Sequence, residues 1–262
     1  MIILLSPAKR MDITSIIPPA YFMSEEGNLF TEPLFAQDAW KIARKMKEYS
    51  PMELSSLLHI NPRLAMATAE KFASYRRQQL DFAKRPAILA YKGDAYRGLD
   101  AATMNPDDIR YAQDHLRILS ALYGMLRPLD LIQAYRLEMA IPLKVNNKKN
   151  LYAFWREKIT KKLKEDLARD EVPILINLAS KEYFSVIDPD KLGVRIITPE
   201  FREFRNGIYK TLALFSKYAR GKMTRFILDR RITDPEEIKL FDLDNYAYDA
   251  NKSTEDKWVF TR

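Results

Sequence analysis

Cysteine is absent from this 262-residue chain, and histidine and glycine are scarce, at 2 and 7 residues. Without Cys there is no disulfide framework, thiolate zinc site, Cys-ligated iron–sulfur cluster or thiol nucleophile. Two His cannot build a three-His metal centre. So few glycines leave little for phosphate cradles, and neither G-x-G-x-x-G nor G-x-x-x-x-G-K-[ST] occurs. No spacing of carboxylates supports a metal site, and no cofactor motif is present. No stretch approaches the roughly 18 consecutive apolar residues of a membrane span. The start, Met1-Ile2-Ile3-Leu4-Leu5-Ser6-Pro7, lacks the basic n-region and long apolar region of a signal peptide. A cytoplasmic protein without a membrane anchor is expected.

What is present is a foldable, basic chain. It is 47% hydrophobic, enough to bury a sizeable core, and carries a net charge of +8. That charge is clustered. Residues 41–92 hold 11 Lys/Arg against 4 Asp/Glu, residues 202–231 hold 9 against 2, and residues 232–262 hold 4 against 8. Clustered positive charge is the footprint of a polyanion binder, although single charge runs also occur as solvated helix faces.

Periodicity places elements along the chain. Ile2 to Leu5 reads as a buried strand, and 12–33, with Pro18, Pro19, Gly27 and Pro33, as an irregular loop. Helical spacing runs over 34–49. A capping box at Ser50-Pro51-Met52-Glu53 opens a second helix. Asn61-Pro62 restarts a third, able to run through Ala65, Ala69, Phe72 and Leu80. Strands are expected at 87–91, 172–178, 194–198, 240–243 and 258–261, and helices over 106–121, 151–168 and through Phe215, Ala219 and Phe226. Asn206-Gly207 predicts a hairpin turn between 201–205 and 208–211, because Asn-Gly accepts positive φ. The mixed, irregular alternation favours an α+β fold, one domain over 1–262, above a doubly wound one.

Segment 51–75 resembles a helix-hairpin-helix DNA-binding element. Leu57, Ile60, Leu64 and Ala65 have its spacing, with Ile60 the buried hairpin residue and Asn61 a cap. Free amides at a helix start form an anion site, and Arg63, Lys71, Arg76 and Arg77 add charge. The usual hairpin glycines are replaced by His59 and Asn61, and an ordinary helical corner fits the same spacing. On the late helix, Lys217, Arg220, Lys222 and Arg225 supply the second basic group. Three polar clusters follow expected strands, containing Lys9, Asp94 with Lys92, and Asn177 with Lys181. Arg127 and Glu138 lie in a fourth polar run. Polar groups at strand ends gather in shared pockets of sheet proteins.

Several of these blocks together resemble the YaaA family of peroxide-stress proteins. They are Leu5-Ser6-Pro7-Ala8-Lys9, Tyr91-Lys92-Gly93-Asp94, Leu119-Ser120-Ala121-Leu122-Tyr123-Gly124, Leu126-Arg127-Pro128 and Tyr135-Arg136-Leu137-Glu138-Met139. Asn177-Leu178-Ala179-Ser180, Ala219-Arg220-Gly221 and Trp258-Val259-Phe260-Thr261-Arg262 complete the series. Ala121 and Ala140 depart from it, each standing where Gly is usual. The resemblance implies a single α+β domain, a positively charged cleft, a helix-hairpin-helix element and binding to duplex or branched DNA. It also implies a role in limiting iron-dependent peroxide damage. The first expectation is therefore a DNA-binding protein that grips backbone phosphates with little sequence preference. An enzyme acting on a nucleotide or nucleobase through Lys9, Asp94, Arg127, Glu138, Asn177 and Lys181 is the alternative. Carboxylate-based iron sequestration is a third.

Overall fold

A computed structural model describes residues 1–22, 29–77 and 83–262. The apolar run after Met1 forms β1 (Ile2–Leu5), buried at every position. Continuous apolarity, not alternation, is what a strand covered on both faces requires. A short β2 (Arg10–Met11) follows. Helix α1 (Ala36–Lys47) buries Ala39, Ile42, Ala43 and Met46 along one stripe. Helix α2 (Pro51–Leu58) opens on the expected capping box, with the Glu53 carboxylate accepting from the Ser50 amide at 2.8 Å. Helix α3 (Pro62–Ser74) is capped by Asn61, whose Oδ1 accepts from the Leu64 amide at 2.9 Å. It ends at Ser74; Leu80, and Gly27 of the early loop, lie outside the described residues.

Three expectations need correction. The strand expected over 87–91 is mostly helical: β3 (Arg85–Pro86) leads into the single turn α4 (Ala87–Ala90), and only β4 (Tyr91–Lys92) is extended. The amides of Ala87 and Ile88 donate to the carbonyls of Asp130 and Pro128 at 2.9 and 3.0 Å, so this buried segment satisfies its backbone without a long strand partner. After α5 (Asp94–Leu99), the helix expected over 106–121 divides into α6 (Pro106–His115) and β5 (Leu116–Ser120). Leu116 and Leu119 continue the helical period, but pairing with β1 from Ile3↔Leu116 to Leu5↔Ile118 takes the segment into the sheet. Beyond lie β6 (Gly124–Leu126), β7 (Leu131–Ile132), α7 (Leu151–Leu167), β8 (Ile174–Leu178), α8 (Lys181–Phe184) and α9 (Pro189–Leu192). Two expected strands merge into β9 (Arg195–Arg205), which turns at Asn206 (φ 53°) and Gly207 (φ 80°) into β10 (Ile208–Lys210). Helix α10 (Ala213–Asp229) comes next. The third correction is 240–243. Asp234 caps a tight helical segment, Pro235–Leu240, and no strand forms before β11 (Ala247–Tyr248) and β12 (Lys257–Thr261).

The fold is α+β. Eight strands form a mixed sheet in the order β11-β12-β9-β8-β1-β5-β6, with β10 paired to β9. The inner strands β12, β9, β8, β1 and β5 are parallel; β11, β10 and β6 add antiparallel margins. Numbered along the chain, the parallel strands run 2-1-3-4-5. The order therefore reverses at β1, and the crevice between the carboxyl ends of β1 and β8 is where such sheets take ligands. Arg117 on β5 is fully buried, and its Nε donates to Asp166 of α7 at 2.8 Å, so the charge enters the core already matched.

Helices α5 and α10 touch backbone to backbone. A Cβ on Gly98 would lie 2.3 Å from the Tyr218 carbonyl oxygen, and one on Gly221 would lie 1.8 Å from that of Ala95. Gly221→Ala is expected to destabilise the protein by about 3 kcal/mol, because two rigid backbones must separate. Gly207→Ala, where only the positive φ is lost, should cost about 1 kcal/mol. Urea denaturation of both variants checks this; equal midpoints would refute the close contact.

Candidate functional site, a cation-lined cleft where the strand order reverses

The ends of β1 and β8 are tied together before they diverge. Ser6 Oγ accepts from the Ser180 amide at 2.8 Å and donates to Ser180 Oγ at 3.3 Å. The Tyr96 hydroxyl, from α5, donates to the Ser6 carbonyl at 3.0 Å. Above this junction is a cavity of about 280 Å³. Lys9 and Arg10 after β1, Lys92 of β4, Asp94 at the start of α5, Glu138, Glu182, and Lys217 and Arg220 from α10 all reach it.

The charges are unevenly matched. Lys9 Nζ is 2.6 Å from Glu138, and Arg136 approaches the other oxygen of that carboxylate at 3.9 Å. Asp94 lies 3.2 Å from Arg97, and Lys92 lies 3.8 Å from Asp12. Arg220 is different. It is half-buried, its Nε is enclosed without a hydrogen-bond partner, and no carboxylate among the described residues is within 4.0 Å. Burial pushes its guanidinium below the ordinary arginine range, only partly opposed by the more distant Glu200. Lys217 is exposed and likewise forms no ion pair among the described residues.

The sequence candidates separate into three groups. Lys9, Asp94 and Glu138 meet in the cavity; Arg127, Asn177 and Lys181 do not line it. Arg127 pairs with Asp130 at 3.1 Å beyond β6. Asn177 is buried in β8, where it donates to Thr198 at 3.3 Å and accepts from the Ala179 amide at 3.1 Å, shaping the strand end from behind. Lys181 is the exposed first residue of α8. Of the basic sets, Lys217 and Arg220 belong to the cavity. Lys222 packs over the Tyr218 ring, 5.6 Å from its centroid. Arg225 is held by Asp229 at 2.6 Å, the Asp100 carbonyl at 3.0 Å and Thr103 at 2.9 Å, so it braces α10 against the α5 end.

The 51–75 segment forms two helices joined by a tight corner. His59 adopts positive φ (51°), and both its amide and that of Ile60 donate to the Ser55 carbonyl. The Ile60 carbonyl accepts from Ser55 Oγ at 2.6 Å. Leu64 is capped by Asn61, so these amides are turned inward rather than left for an anion. The charge remains. Arg63 and Arg77 are exposed. Burial holds the Lys71 ammonium below its ordinary value, and Arg136 repels it further. Lys47 is lowered in the same way, first by burial and then by Arg76, whose guanidinium also donates to the Ala73 and Tyr75 carbonyls. Arg136 thus acts on Lys71 of α3 through its charge and approaches Glu138 of the cleft, so its field reaches both basic regions.

Nothing in the sequence beyond a count of 14 tyrosines signals a buried hydroxyl cluster that adjoins the cleft where the Tyr91 ring lies 5.3 Å from that of Tyr96. Tyr135 OH lies 2.7 Å from Tyr91 OH and 2.8 Å from Ser120 Oγ, and the Tyr123 amide donates to that same Ser120 Oγ at 2.9 Å. Burial pushes Tyr135 up to about 12, with its hydroxyl partners opposing. Among the described residues no cluster of three or more His, Asp or Glu could hold a metal ion, and no helix is long and apolar enough to cross a membrane. The raised tyrosine makes a pH prediction. An unfolded tyrosine ionises near 10. The stabilisation is therefore complete below about pH 10 and lost as pH rises towards 12. Absorbance titration should show phenolate appearing together with loss of folded circular dichroism, and Tyr135→Phe should move that alkaline transition.

A protein family described as peroxide stress protein YaaA matches residues 1–252. Among the curated relatives, a UPF0246 protein of Ralstonia nicotianae is 42% identical over 262 residues, covering 100% of this chain and 99% of the relative. A UPF0246 protein of Alteromonas mediterranea is 43% identical over 262 residues, covering 100% of this chain and 98% of the relative.

Proposed function

We propose, for a chain that belongs to the peroxide stress protein YaaA family, that it binds DNA in the cytoplasm during oxidative stress, gripping backbone phosphates of duplex or branched strands. The observation that carries this reading is the half-buried Arg220, unpaired in a cleft where cations outnumber carboxylates. A guanidinium in that position lacks an anion, and phosphate oxygens match its donors. Lys217 extends the charge outward from α10. Arg63 and Lys71 on α3, and Arg76 and Arg77 just beyond its end, add to it. The inward amides at 59, 60 and 64 leave side chains rather than the hairpin backbone to make most phosphate contacts. Such contacts carry no base information, so sequence preference should be small. Binding of this kind releases cations condensed on the DNA.

The test is fluorescence anisotropy with a labelled duplex at low and moderate salt. The double variant Arg63→Glu/Lys71→Glu should lose about tenfold or more in affinity and show a shallower salt slope, since about two phosphate contacts are removed. Duplexes of different base composition should bind alike. Unchanged affinity of the double variant at low salt would remove α3 from the interface. Undetectable binding by the wild-type protein would overturn the reading itself.

A further inference from the structure

The cavity has features that duplex binding does not use. It is recessed, and it sits at the reversal of strand order between β1 and β8. At about 280 Å³, it lies at the small end of ligand pockets, which run roughly 300–1,000 Å³. A rod-like duplex backbone would contact its rim but could not fill it. The wall between the polar groups is apolar and rigid: Pro7, Leu178 and Tyr183 line it, with Tyr96 fixed by its bond to the Ser6 carbonyl.

We propose that this cavity is a binding site for one nucleotide unit, a phosphate monoester attached through a sugar to a flat ring. Arg220 and Lys217 supply the phosphate site: Arg220 shares an enclosed, unpartnered Nε with Arg85 and Arg136, but unlike them it has no carboxylate or carbonyl acceptor for the rest of its guanidinium among the described residues. Ser180 Oγ adds a donor, because it accepts from Ser6 and its own proton has no acceptor among the described residues. The Pro7, Leu178 and Tyr183 wall suits a ring. Glu138 and Glu182 accept from hydroxyl or amino groups, which a bare inorganic anion does not offer. The volume suits one nucleotide rather than a dinucleotide. The shared chemistry could come from a free mononucleotide or from the phosphorylated end of a DNA strand. The inference does not depend on duplex binding, although Arg220 and Lys217 would serve both.

Isothermal titration of the full chain with deoxyadenosine monophosphate, without DNA present, tests it. Saturable 1:1 binding is expected, with deoxyadenosine weaker by about tenfold or more for want of the charge-assisted contacts. Lys217→Ala, at an exposed position, should weaken the monophosphate severalfold. Arg220→Met should weaken it by about tenfold or more, with a thermal melt establishing that it folds. No heat from the wild-type protein at millimolar nucleotide, or equal affinities for nucleoside and nucleotide, would overturn the site. So would wild-type affinity in both variants. Preference for a 5′-phosphorylated oligonucleotide over its 5′-hydroxyl twin would identify a strand end as the source. Equal oligonucleotide binding alongside tight monophosphate binding would identify the free nucleotide. Because the titration contains no DNA, failure of the duplex reading leaves its outcome interpretable.

Discussion

The contact between α5 and α10 is the constraint on which the cleft depends. Gly98 and Gly221 remove the side chains that would hold these helices apart, and each backbone meets a carbonyl of the other helix. Gly221 directly follows Arg220, and Lys217 lies one turn earlier on the same helix. Setting Gly221 against Ala95 therefore fixes where both cations emerge. They line the same cavity as Lys92 of β4, Asp94 at the start of α5 and the end of β1. Arg225, one turn later, locks the same contact from the far side through Asp229, Asp100 and Thr103. A helical packing choice thus determines an electrostatic arrangement at the sheet.

Two enclosed arginines show what that arrangement means. Arg117 is more deeply buried than Arg220, yet it has Asp166 and two backbone carbonyls as acceptors. Burial alone would raise Asp166, but Lys162 and Arg117 hold it below the ordinary carboxylate value, so that pair is charged and satisfied. An ion pair of that kind belongs to the core. Arg220 has no such acceptor, and a desolvated cation without one is costly in a finished structure. A ligand that completed the site would offset that cost, so on the reading proposed above Arg220 belongs to a binding site while Arg117 belongs to the architecture.

Much of this was legible in the sequence, to differing depths. Ser50-Pro51-Met52-Glu53 states its capping box, and Asn206-Gly207 states its turn, because each depends on chemistry within four residues. Strand β5 was hidden for the opposite reason. Leu116 and Leu119 satisfy a helical period as well as a strand, and only the edge of β1, more than a hundred residues away, decides between them. Lys9 and Asp94 could be marked as residues that follow strands. Their meeting with Lys217 and Arg220 could not, since no local pattern encodes the α5–α10 crossing. The same limit applies to the hairpin. His59 is visible as a poor substitute for glycine, but the inward turn of its amide is set by the Ser55 carbonyl, which the spacing does not reveal.

The cations of this surface do not act equally, and their surroundings set the order. Arg63 and Arg77 project into water, where ions screen them over roughly 8 Å at physiological ionic strength. Their pull on a polyanion is long-ranged only in dilute salt. Lys9 spends much of its field on Glu138, which also faces Arg136. Arg220 is screened least, because it is withdrawn from solvent, and it has no nearby carboxylate to neutralise it. As salt rises, the surface contracts electrostatically from a broad basic face to the cleft around Arg220. On the proposed reading, exposed charge on α3 would govern encounter, while the recessed arginine would govern what is retained. A phosphate drawn to the face at low salt would thus be held, at cellular salt, chiefly at the point where the strand order reverses.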